Sequence, residues 1–161
     1  MQDALGFPGV NFQSATLADF GGLVEGSSLY FTPSDGIQRR YVLVKAGVSV
    51  ANNLLVTKDS TSGSLTVSLT ATAAAVPLGV NNTGATITSG NYFLACQGPK
   101  YVAANDAALA SAGVKLQPDA STNGNVEAYA ATAGNVCVGL VHTTAGGAGT
   151  VTVYGWLGNG L

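Results

Sequence analysis

Apolar and polar positions alternate along this chain in short runs with a period of two. Leu65-Thr66-Val67-Ser68-Leu69 is the clearest case, the pattern of a half-buried strand. Tyr41 to Val44, Leu54 to Thr57, Val76 to Val80 and Tyr92 to Ala95 are further β-prone runs, and Pro77 marks its run as an edge or a strand start. A second series follows at Val114 to Gln117, Val126 to Ala130, Val136 to Val141 and Val151 to Tyr154. The polar clusters Asp59 to Gly63 and Asp119 to Gly124 each lie between two runs and predict hairpin turns. Asp106 to Gly113 carries an N-cap residue, helix formers and a closing glycine, which predicts a short helical turn or loop of at most two turns. Many short strands with Gly-rich turns imply an all-β fold, a small antiparallel barrel or sandwich.

The two series are copies of one unit. Shifting the sequence by 60 residues brings Tyr41-Val42 onto Tyr101-Val102 and Asp59 onto Asp119. It also brings Ala71-Thr72-Ala73 onto Ala131-Thr132-Ala133, and Gly79 onto Gly139. Apolar classes match as well, Val56 with Leu116 and Leu78 with Val138. The repeat runs from about 40–98 to 100–158, inside a β domain at 41–161. It leaves open one continuous barrel or two small ones. Gly79 and Gly139, set inside apolar runs, predict close backbone approach or a bend at a barrel corner.

Residues 1–40 lie outside the repeat and read as an irregular N-terminal arm broken by glycines. They hold Phe7, Phe12, Phe20, Tyr30 and Phe31, five of the chain's twelve aromatics. Such rings need cover. Either the arm docks on a partner subunit, ordering as it binds, or it folds back over one end of its own barrel.

Composition narrows the function. Charged residues are 9% of the chain, far below the roughly 25% of soluble domains. The net charge is −2, all of it carried by residues 1–40. No basic footprint exists for nucleic acid. At 47% apolar the chain is no disordered polymer, and its apolar runs are too short for a membrane span. Residues 1–20 lack the basic start and apolar core of a secretory signal, and two cysteines make no disulfide framework, so synthesis in a reducing compartment is expected. A surface kept wet by Thr, Ser, Asn and Gly has little charge to desolvate and suits large, close contacts.

Catalytic constellations are absent, and no enzyme, metal or cofactor is expected. His142 is the single histidine, so no two-histidine zinc site forms. A nucleophile pair would have to join Cys137 to His142. In the repeat register these match Pro77 and Asn82, which favours structural roles. Asp59 and Asp119 precede Ser/Thr/Gly clusters, where an aspartate hydrogen-bonds its own turn. Neither turn has the spacing of a calcium loop. Cys96 reads as a small buried hydrophobe, and Asn81-Asn82-Thr83 as an idle glycosylation sequon. Trp156, the only tryptophan, is a core residue or an interface anchor.

Ala-Ala-Val-Pro-Leu-Gly-Val at 74–80 is followed by a Gly-rich turn and Gly90-Asn91-Tyr92-Phe93-Leu94-Ala95. The second copy continues with the Ala-rich 103–113, Asn-Val-Cys-Val-Gly-Leu at 135–140 and the run 151–157. Over about 40–158 this pattern resembles the capsid cement (decoration) proteins of tailed phages. The resemblance implies a small β protein, a homotrimer, made in the host cytoplasm. It would bind the major capsid protein on the outer surface of the virion at subunit junctions. It brings no cofactor or catalytic residue. On this reading Phe7, Phe12, Phe20, Tyr30, Phe31 and Trp156 reach the shell or a neighbouring protomer, and Arg39 and Arg40 pair with shell carboxylates. The alternative is a host-receptor or glycan-binding β module of a phage fibre or surface protein. Its support is Trp156 with Asn81, Asn82, Asn123 and Asn125.

Overall fold

The structure, a computed structural model, describes residues 13–59, 64–109 and 111–158. Phe7 and Phe12 lie outside the described residues. Among the described residues twelve strands form: β1 (Gln13–Ser14), β2 (Ser28–Phe31), β3 (Arg39–Ala46), β4 (Leu55–Lys58), β5 (Thr66–Leu69), β6 (Gly79–Val80), β7 (Tyr92–Gly98), β8 (Lys100–Asn105), β9 (Lys115–Pro118), β10 (Val126–Ala128), β11 (Gly139–Val141) and β12 (Gly149–Tyr154).

The repeat is a repeat of topology. Strands β3 to β7 close into a ring in the order β3-β5-β4-β6-β7, because β7 pairs back onto β3. Strands β8 to β12 close into the equivalent barrel, β8-β10-β9-β11-β12. In each, the first and third strands pair in parallel, at Lys45↔Thr66 and at Asn105↔Val126, which are 60 residues apart. The pairs Leu55↔Val80 and Lys115↔Leu140 are equivalent in the same way. The chain therefore builds two small barrels. Asp59–Gly63 and Asp119–Gly124 fall at β4/β5 and β9/β10, both antiparallel pairs; residues 60–63 lie outside the described ones. The predicted helical turn after Asp106 is a loop, held by an isolated bridge from buried Leu109 to Ala145.

Glycine opens each barrel's fourth strand for a steric reason. A Cβ on Gly79 would lie 2.9 Å from Ala95 Cβ and 3.0 Å from the Cys96 carbonyl oxygen. On Gly139 it would lie 2.6 Å from the Tyr154 carbonyl oxygen and from Val153 Cγ1. Only a residue without a side chain lets these strands close.

The barrels differ on their outer faces. Along β3 and β7, alternate residues Val42, Val44, Phe93 and Ala95 belong to the interior of the first barrel. Their neighbours Tyr41, Leu43, Leu94 and Cys96 are apolar and buried too, in a second cluster with Phe20 and Phe31. The outward-facing positions of β8 and β12, Val102, Ala104, Thr150 and Thr152, are half-buried or exposed. On the first barrel this outer face is apolar and buried, and there the described part of the leader lies down. β1 pairs with β7, a 3-10 turn follows at Leu17–Phe20, and β2 pairs with β3. Phe31 stacks on Tyr41 with ring centres 4.5 Å apart. Burying each such ring stabilises by about 1.5–3 kcal/mol. The described part of the expected irregular arm thus carries two strands and a helical turn, because the sheet beneath supplies both a hydrogen-bonding edge and an apolar face.

One residue, Pro99, separates the barrels. Asn82 bridges them: its Nδ2 donates to the Val102 carbonyl at 2.8 Å and its Oδ1 accepts from Val102 N–H at 3.0 Å. The amide thereby stands in for a strand partner along the stretch of β8 that β10, paired only at Asn105, does not reach. Ala104 N–H donates to the Asn53 carbonyl at 2.9 Å, and Leu157 N–H to the Gln97 carbonyl at 2.7 Å. Gly124 enters the first barrel, donating to Thr70 and accepting from Leu55.

Candidate interaction surface

Two features of the outer surface meet at the second barrel. The first is a row of side chains running across four strands. Lys115 pairs with Leu140, Leu140 with Tyr154, and Tyr154 with Lys100. Directly opposed residues share a face. Here it is the outer one, since Leu140, Tyr154 and Lys115 are exposed. Beyond Tyr154 the chain stays extended, with Gly155 N–H bonded to Pro99 and Leu157 N–H to Gln97. Trp156, 53% exposed, therefore follows Tyr154 on the same side. It lines a shallow apolar notch with Val76, Pro77, Val136 and Cys137.

The second feature is a cleft of about 440 Å³ between the barrels. The leader loop supplies Pro33, Ser34 and Asp35, and the first barrel supplies Arg39, Asn52, Asn53, Asn82 and Gly84. The second barrel supplies Lys100, Val102 and Thr152. Lys100 belongs to both features. Tyr41 and Tyr101 form buried parts of the cleft wall, and burial pushes both phenols above their usual range.

Asp35 organises the charge. Its carboxylate takes Arg39 Nη1 at 3.0 Å, Arg39 Nη2 at 2.5 Å and Lys100 Nζ at 3.0 Å. The Arg39 guanidinium, with Lys100 and the Ile37 N–H adding to it, holds this carboxyl well below the usual carboxylate range. Arg39 Nε also donates to the Lys100 carbonyl at 2.8 Å.

The residues singled out by sequence separate accordingly. Phe20 is 1% and Phe31 7% exposed, so their rings are covered by this chain, not held out for a partner. Of the described aromatics singled out by sequence, Tyr30, 57% exposed on β2, and Trp156 face solvent. Arg39 pairs with Asp35 within the chain, and Arg40 donates to Ser28 Oγ. Cys137 and His142 are not brought together. The thiol points to the Gly139 carbonyl, and His142 packs edge-on against Tyr154 at 4.7 Å. Asp119 caps its own turn through Ser121 and Thr122, as its position predicts. Asn81 of the sequon is fully buried, with its Nδ2 donating to Val50, Ala51 and Ala85. Cys96 is buried, and desolvation pushes its thiol up to about 11. Among the described residues no group of three metal-ligating side chains occurs, and no helix is long and apolar enough to cross a membrane. Sequence reasoning missed the cleft, because its walls come from residues as distant as Ser34 and Thr152.

The fold defines the chain as a tandem β-barrel protein. No protein-family profile matches it, and no curated protein does. Among solved structures it is similar to the N base of the head fiber protein gp8.5 of bacteriophage phi29. The TM-score is 0.57 at 13% identity, over 80% of this chain and 94% of that one. The two share a fold.

Proposed function

We propose that this protein is a non-enzymatic virion component that decorates a phage head, bound to the major capsid protein on the outer shell surface at subunit junctions. The observation that carries the reading is the fold shared with a phage head fiber base, nearly all of which the match covers. The chain's low charge supports it, since few groups need desolvating at a broad contact. The exposed row of Leu140, Tyr154 and Trp156 supplies the aromatic anchors such contacts use. Tyr30 on β2, the neighbouring Arg40, and Phe7 and Phe12 of the leader complete the proposed contact set. Homotrimers would let one small surface engage several shell subunits at once, which multiplies weak contacts into stable attachment.

The test is co-sedimentation of the purified chain with undecorated heads, counting copies per shell subunit. Saturation at a ratio fixed by the shell symmetry is expected. Absence of co-sedimentation would overturn the reading.

A further inference from the structure

The inter-barrel cleft sorts its polar atoms by type. Each of its three asparagines uses its side-chain oxygen inside the protein. Asn52 Oδ1 accepts from Gly84 N–H, and Asn82 Oδ1 from Val102 N–H, both at 3.0 Å. Asn53 Oδ1 accepts from Asn82 Nδ2 at 3.0 Å. A backbone N–H can only donate, so the amides of Asn52 and Asn82 have one orientation each, and Asn82 then fixes Asn53. The NH2 groups of Asn52 and Asn53 are left without an acceptor among the described residues. Lys100 carries three donors and gives one to Asp35. Arg39 carries five and gives three, to Asp35 and the Lys100 carbonyl. Two cations face one carboxylate. The amide oxygens and the carboxylate of the cleft are thus engaged, while NH2 and cationic donors are left over and the two cations outnumber the one carboxylate.

An anion with several acceptor oxygens complements such a wall. The neighbouring ridge narrows the choice. Tyr154 lies one strand from Lys100, with Leu140 beyond it, so an apolar contact surface adjoins the donors. A polypeptide presents an acidic side chain and an apolar one side by side. We propose that this cleft takes the carboxylate of an aspartate or glutamate on a partner polypeptide, with Asn52, Asn53 and Lys100 as its donors. The partner rests on the head-binding reading; the chemistry of the cleft does not.

Two experiments separate these. In amide NMR spectra of the full chain, acetyl-Ala-Glu-Ala-amide at millimolar concentration is expected to shift the side-chain NH2 signals of Asn52 and Asn53. The Gln analogue is expected to leave them in place. Shifts from glucuronate but not from the Glu peptide would overturn the polypeptide assignment in favour of an acidic sugar. No shift from either would overturn the site. On undecorated heads, Asn52→Asp with Asn53→Asp keeps the inward-facing oxygens and turns the free donors into acceptors. Affinity is expected to fall about tenfold with thermal stability unchanged, as expected for losing charge-assisted bonds. Lys100→Gln should weaken binding in the same direction. Unchanged affinity in both variants would overturn the proposal. If the wild-type chain fails to bind heads, the decoration reading falls, and the peptide spectra still decide the cleft.

Discussion

Single residues decide whether each barrel closes and whether the two stay together. Gly79→Ala forces a methyl group against Ala95 and the Cys96 carbonyl, both at about 3 Å. Gly146→Ala adds the same methyl where nothing lies within 4 Å. The first is expected to cost about 1–3 kcal/mol and the second close to nothing, read from urea midpoints. Asn82→Ala removes the amide that satisfies both backbone groups of Val102. A loss of about 1–3 kcal/mol is expected, since it leaves half-buried polar groups unpaired. Equal stability of mutant and wild type would show that water replaces the amide freely. The glycines were legible in the sequence, because both copies break an apolar run at the same place. The role of Asn82 was not, since its equivalent in the second copy is His142 and nothing in a repeat tells which surface meets which.

At the scale of elements, the leader is the informative case. β2 and the turn ending at Phe20 cover the apolar outer face of β3 and β7 in the first barrel. Phe31→Ala is therefore expected to destabilise the protein by about 3 kcal/mol, measured by chemical denaturation. Tyr30→Ala, one residue away but exposed, should leave stability within about 0.5 kcal/mol and act only on partner binding. Removing residues 1–31 would expose Tyr41, Leu43, Leu94 and Cys96, so loss of head binding by such a truncation would not isolate the leader as a contact. The pair of exposed-versus-buried substitutions does. The run Tyr41 to Val44 predicts a strand, and the structure buries it on both faces. What would cover its second face could not be read from the run itself.

For the whole molecule, acid is the revealing condition. Asp35 is held low by the Arg39 guanidinium and Lys100, and Asp19 by the hydroxyls of Ser14 and Thr16. Burial would raise Asp119, but hydrogen bonds from Ser121 and Thr122 outweigh it and hold it low as well. A carboxyl with a lower value folded than unfolded adds stability above its unfolded value, near 3.9, and loses it as pH falls through the folded value. Stability is thus expected to be flat from pH 7 to about 5 and to decline below about 4. Asp35→Asn should flatten part of that decline. A midpoint that falls steadily between pH 7 and 5 would contradict this assignment, since none of these three carboxylates titrates there.

The sequence by itself determined the strands of the two copies apart from β8, the turns between them, the 60-residue repeat, the two closing glycines and a charge balance with no basic footprint. These are local properties, set by alternation, turn residues and composition within a few positions. Tertiary structure alone decided that the repeat makes two barrels, that the leader folds onto the first, and that Asp35, Asn52 and Lys100 meet in one cleft. Ring closure depends on pairing the first strand of each copy with its last, and the cleft on the angle at which two barrels joined by one residue come to rest. Both are fixed by contacts between residues far apart in the chain, for which a single sequence carries no local signal.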